Sequence, residues 1–253
     1  MRKRLIVFMS CQRSGSSVTA GCFHRLGMSL GPFPLFGASD GEPLGFCEAL
    51  PILEIDHRLH RATYGFQEDG IDYRLAGHIL YNRRILLPDV RQLPEEWIRE
   101  GIGVIQRLVE SGEISGFKHP AAALFWDYWA HVLSHFPEVA LHLVFLLRAP
   151  RAIASSYLRR NGRGGKIDDV LDLVAAYYWR LLQIRKTWSG PAAVVRFDPA
   201  LYQADLQAAV ERCGLAWDEA LFAPYFDPAR IHCEDQGGNH PVERIYEQLL
   251  EWC

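Results

Sequence analysis

The sequence predicts an α/β fold, a three-layer sandwich with a central parallel sheet and helices on both faces. Two observations carry this. Four short runs, "LIVFMS" (5–10), "ISGFK" (114–118), "LHLVFLL" (141–147) and "AAVVRF" (192–197), are apolar or β-branched almost throughout, as strands buried on both faces are. Long stretches of helical period separate them, and parallel strands need such crossovers.

The elements follow in order. The strand at 5–10 leads into a tight loop and a helix over Ser17–Leu26. Met28–Gly45, "MSLGPFPLFGASDGEPLG", is too rich in Gly and Pro for regular structure, and irregular stretches of that length are usually functional. Helices are expected at Pro51–Thr63, Tyr73–Leu86 and Glu95–Ser111, before the strand at 114–118. In the next helix, Ala121–Phe136, the residues Phe125, Trp129, Val132 and Phe136 form one stripe that should pack on the sheet. After the strand at 141–147, Pro150 opens a helix to Arg160. The irregular "NGRGGK" (161–166) precedes a helix over Ile167–Trp188, then come the strand at 192–197 and a helix over Ala204–Cys213. A last irregular stretch, "HCEDQGGNHP" (232–241), leads to a terminal amphipathic helix. No repeat and no linker divides the chain, so residues 1–253 read as a single domain.

Composition narrows the function. Hydrophobic residues make up 49% and charged residues 23% of 253, ordinary values for a globular protein with an ample core. The net charge of −3 points to neither nucleic acid nor a membrane surface, so an anionic ligand must be held by a local group of cations. The six cysteines form no C-x-x-C pair and no metal-ligand spacing, which reads as reduced thiols in the cytoplasm. The apolar run after "MRKR" is only five residues long, too short for a secretion signal, and no stretch reaches membrane-spanning length. His57 and His60, like His131 and His135, sit at helical spacing without further ligands, so no metal site is expected.

"SCQRSGSSVTAG" (10–21) is the first chemical signal. Ser14, Gly15, Ser16 and Ser17 can present successive backbone N–H groups and hydroxyls to an anion at a helix N-terminus. Gly15 lets the chain turn, and Arg13 adds a planar fork of donors. The arrangement is P-loop-like, but no lysine follows Gly15, which removes a P-loop nucleoside triphosphatase. A capped turn of no function is the bland alternative for this loop alone.

"VFLLRAPRAIASSYLRR" (144–160) is the second signal. Arg148 ends a strand, and Ser156 lies eight residues on, sharing a helix face with Ala149, Ala152 and Ile153. Such a pair can close on one phosphate from two sides.

Together these segments resemble the nucleotide-binding motifs of sulfotransferases that use 3′-phosphoadenosine 5′-phosphosulfate (PAPS). Arg13-Ser14-Gly15-Ser16-Ser17, with Val18 next in the helix, is similar to the [K/R]-S-G-[T/S]-[T/S] that holds the 5′-phosphosulfate in that family. Arg148 to Ser156 resembles its R-x7-S, which holds the 3′-phosphate. "GFKHP" (116–120) is similar to the K-D-P of tyrosyl-protein and many bacterial members, with His119 in the Asp position. The R-K-G tripeptide of the cytosolic enzymes is absent.

The resemblance implies sulfuryl transfer from PAPS, releasing 3′-phosphoadenosine 5′-phosphate (PAP), to a hydroxyl or amine of a small-molecule or carbohydrate acceptor, with no metal required. Arg13 and Lys118 are the cations expected around the moving group. A general base must also take the acceptor's proton. Glu48, in "GFCEALPILEID", resembles the glutamate that bacterial members carry there and is the first choice; His119 competes, and Glu42 is in reserve. Phe33, Phe36, Phe46, Tyr64 and Phe66 are candidates to line the acceptor side. A kinase on a similar architecture and a catalytically inactive nucleotide-binding relative are the rival readings. Oligomeric state is left open.

Overall fold

The computed structural model describes residues 2–37, 45–64, 89–161, 166–223, 226 and 239–253. Four parallel strands, β1 (Arg4–Ser10), β2 (Ile114–Lys118), β3 (Ala140–Leu147) and β4 (Ala192–Arg196), form one sheet in the order β2-β1-β3-β4. The sequence's first strand is therefore interior. Val7 stands beside Phe117 on one side and Leu143 on the other, while Phe145 faces Val194.

The pleat divides the core in two. Leu5, Val7 and Met9 point into one apolar cluster, and Ile6 and Phe8 into another on the opposite face. This double burial is why the strands read as continuous apolar runs. The second cluster is covered by α1 (Ser16–Arg25) and α8 (Tyr202–Arg212), joined by Phe222 of the short α9 (Glu219–Phe222). The first and larger cluster is covered by α2 (Leu50–Tyr64), α3 (Glu95–Glu110), α4 (Ala121–Leu124), α5 (Trp126–Leu133), α6 (Pro150–Asn161), α7 (Ile167–Thr187) and α10 (Pro241–Leu250).

Most expected elements are present, with ends displaced by one or two residues. The helix expected over Ala121–Phe136 is broken at Phe125, whose φ of −100° and ψ of 26° leave the helical region. Its first turn is tightened by bonds such as Ala122 N–H to His119 O, which alters the phase before α5 begins. The apolar stripe survives the break, and Phe125, Trp129 and Val132 are all buried. The short α9, with Asp218 capping Ala220 N–H at 2.9 Å, has no periodic signal in the sequence. The expected helix at Tyr73–Leu86 lies outside the described residues. Among the described residues no helix is long and apolar enough to cross a membrane.

Leu143 is central to β3 and wholly buried. Leu143→Ala should cost about 3 kcal/mol, seen in urea as a lower midpoint at unchanged slope.

Candidate functional site

The chain leaves β1 toward α1 on one face of the sheet and leaves β3 toward α6 on the other. The two exits diverge from neighbouring strands, and the crevice between such exits is where open α/β sheets bind ligands. Arg13 lies in the first exit and Arg148 in the second.

The first exit is tightly shaped. Arg13 has a φ of 64° and Gly15 a φ of 83°. For arginine this left-handed conformation costs about 1 kcal/mol, and such strain clusters at functional sites. A Cβ on Gly15 would fall 2.2 Å from the ring of Phe197, just beyond β4. Ser14 Oγ donates inward to Cys11 O at 2.6 Å, so its hydroxyl shapes the loop instead of facing a ligand. Thr19 Oγ1 donates to Gly15 O at 3.0 Å and lies 2.9 Å from the Tyr202 hydroxyl, tying the loop to α8. Ser16 is buried, while Ser17 and Val18 are half-buried.

The second exit locks onto the first. Arg148, only 5% exposed, donates from Nη1 to the carbonyl of Arg13 at 2.8 Å. Arg13 Nε in turn donates to Ser156 Oγ at 3.1 Å. A ligand phosphate entering between them would have to share or replace that bond. Tyr178 of α7 clamps the strand end: its hydroxyl accepts from Arg148 N–H at 2.9 Å and donates to Arg148 O. The Arg148 guanidinium also lies over the Phe197 ring, 5.3 Å from its centroid. One aromatic ring thus touches both exits.

The end of β2 supplies the third cation. Lys118, 2% exposed, donates from Nζ to Ser17 Oγ at 3.2 Å, to Phe46 O at 3.1 Å and to Glu48 Oε1 at 2.5 Å. These bonds use all three of its hydrogens. The next residue, His119, has partners of its own: its Nδ1 lies 2.6 Å from Asp56 Oδ2, while Trp129 Nε1 donates to Asp56 Oδ1 at 2.8 Å. Burial pushes the Asp56 carboxyl above the ordinary carboxylate range, against the opposing pull of His119 and of the Trp129 indole. The His57 ring stands edge-on to His119 with centroids 5.8 Å apart.

Arg13, Ser156, Arg148, Ser17, Lys118, Glu48 and His119 are therefore linked through neighbouring strand ends. The expected acceptor aromatics divide. Phe33 is a core residue with Arg107 over its ring at 4.7 Å, whereas Phe36 is 45% exposed and packs on Phe46 at 4.9 Å. The Tyr64 side chain, Phe66, Glu42, residues 162–165 and residues 232–238 lie outside the described residues. Asp56, Trp129, Tyr178 and Phe197 were not expected. Only Asp56 had a signal, as the aspartate closing the "GFCEALPILEID" stretch that resembles the bacterial members. Among the described residues no group of three or more His, Cys, Asp or Glu is arranged to hold a metal.

No protein-family model and no curated protein sequence matches this chain. Solved structures do. The sulfotransferase domain of the Synechococcus PCC 7002 olefin synthase superposes with a TM-score of 0.53 at 14% identity, over 98% of this chain and 95% of that one. The sulfotransferase domain of the curacin biosynthetic pathway gives 0.52 at 12%, over 99% and 98%. The chain has the sulfotransferase fold. At these identities the likeness is one of architecture, and the sulfotransferase fold here places Arg13, Lys118 and Arg148 at the ends of three adjacent strands.

Gly15→Ala should strain the loop twice, through its φ and through Phe197. A melting temperature lowered by several degrees is expected in calorimetry, with weakened binding of any anion the loop holds.

Proposed function

We propose that this protein transfers the sulfuryl group of PAPS to a hydroxyl, or an amine, of a small-molecule or carbohydrate acceptor in the cytoplasm. One observation carries the reading. Two motifs more than a hundred residues apart in sequence meet directly, through Arg148 Nη1 on Arg13 O and Arg13 Nε on Ser156 Oγ. A nucleotide bearing phosphates on both its 5′ and 3′ oxygens needs two such cationic grips close together.

The residues fit that donor. The backbone N–H groups from Gly15 onward and the start of α1 suit the 5′-phosphosulfate. The Arg148 guanidinium and the Ser156 hydroxyl suit the 3′-phosphate. When bound, PAPS supplies an electrophilic –SO3 whose bond to the 5′-phosphate oxygen breaks, with its electron pair, as the acceptor oxygen bonds to sulfur. Lys118 and Arg13 would offset the negative charge that gathers on the leaving oxygen. Lys118 would exchange one of its three present partners for that oxygen. Cys11, Cys22 and Cys213, buried as thiols, suit a reducing cytoplasm.

Two groups flank Lys118 and compete to take the acceptor's proton. Glu48 holds the Lys118 ammonium, so protonating it would also break an ion pair. His119 is backed by a buried carboxylate that offsets the charge it would acquire. That contrast supports His119 as base, with Glu48 aiming Lys118.

Arg148→Ala should weaken PAP binding by about 2–3 kcal/mol in titration calorimetry, and an unchanged affinity would remove the main support for the donor assignment. PAP should raise the melting temperature; stabilisation by ATP with magnesium and none by PAP would favour a kinase. PAP binding without product from any alcohol, sugar or amine would mark an inactive relative. His119→Ala should lower turnover by about a hundredfold or more while sparing PAP binding. Glu48→Gln should cost less, and the reverse ranking would make Glu48 the base.

A further inference from the structure

The environment of His119 contains an instruction about where its proton sits. This step rests on the reading of His119 as the base. Asp56, on α2, is wholly buried, and each of its oxygens has a partner. Trp129 Nε1 faces Oδ1 at 2.8 Å, and an indole nitrogen can only donate, so that oxygen must accept. His119 Nδ1 faces Oδ2 at 2.6 Å. With a carboxylate opposite, Nδ1 carries the hydrogen and Nε2 keeps the lone pair. Nε2 bonds no described residue, and the side chain retains 10% exposure beside the Lys118 end of the site.

We propose that Asp56 is a positioning residue: held by Trp129, its carboxylate fixes His119 as the Nδ1–H tautomer, with Nε2 turned over to the acceptor hydroxyl. The proton balance closes. As the acceptor oxygen bonds to sulfur, its hydrogen passes to Nε2, and the electron pair of the breaking S–O bond stays with PAP. His119 becomes an imidazolium with Nδ1–H still on Asp56, and it later returns the Nε2 proton to solvent. Without the carboxylate, a neutral histidine prefers its hydrogen on Nε2, which would present a donor where an acceptor is needed.

Trp129 makes the idea testable through Asp56→Asn. The amide has one oxygen, and two donors compete for it. The indole has no alternative, whereas His119 can move its hydrogen to Nε2 and accept from the amide nitrogen. The variant should therefore switch the tautomer. Adding Trp129→Phe frees the amide to turn its oxygen to Nδ1 and should switch it back.

The readout is the nitrogen NMR spectrum of ring-labelled histidines in the whole protein, with and without PAP, above the pH range where imidazole is charged. His119 is assigned by loss of its signals in His119→Gln. Nδ1–H in the wild type, Nε2–H in Asp56→Asn and Nδ1–H again in the double variant are expected. Nε2–H in the wild type overturns the proposal, and that measurement needs no variant to fold. An unswitched tautomer in a folded Asp56→Asn overturns it as well. PAP titrated into the same samples separates the two readings: a wild type that binds no PAP strikes the donor assignment, whatever the tautomer.

Discussion

The contact between the Arg148 guanidinium and the Arg13 carbonyl holds the site together, because it joins two chain exits that the sheet sends to opposite faces. Protein oxygens meet both guanidiniums: Arg148 donates to the Arg13 carbonyl and Arg13 to the Ser156 hydroxyl. Tyr178 fixes the backbone from which Arg148 projects, so the side chain starts from a stationary point. The geometry follows from strand order: were β1 and β3 not neighbours, these residues would stand a strand's width or more apart.

The end of β2 shows a different economy of charge. Lys118 and His119 are consecutive, yet each is matched to its own carboxylate, Glu48 from before α2 and Asp56 from within it. Taking such groups out of water is costly, and packed apolar side chains of similar volume would stabilise a fold at least as well. Buried pairs at one strand end therefore speak for chemistry more than for stability. They also let a chain of net charge −3 bury a lysine and a histidine side by side at one strand end.

Much of this was legible in the sequence, for identifiable reasons. Strands buried on both faces leave continuous apolar runs, which is why β1 to β4 stood out. Arg13, Lys118, Arg148 and Ser156 stood out because they match, in order and spacing, short motifs that the resembled family carries at its strand ends; taken alone, each would have read as an ordinary strand end or helix residue. Asp56, Trp129 and Tyr178 belong to helix faces that periodicity marks only as buried, without saying what they touch. Trp129 read as a core residue, and it is one; its indole hydrogen was invisible to a pattern of apolar spacing. The break at Phe125 was hidden because the stripe of buried side chains runs on across it. Ser14 misled in a smaller way, since residue type suggested an outward hydroxyl and the loop uses it inward.

Phe197 lies against the glycine of the first loop and reaches the guanidinium of the second. A hydrocarbon floor of that kind leaves the loop little room to sag. Its amides are consequently ordered when the sheet forms, and the entropy of arranging them belongs to folding. Phe36, by contrast, is 45% exposed where it packs on Phe46, and there the surface is open enough to change.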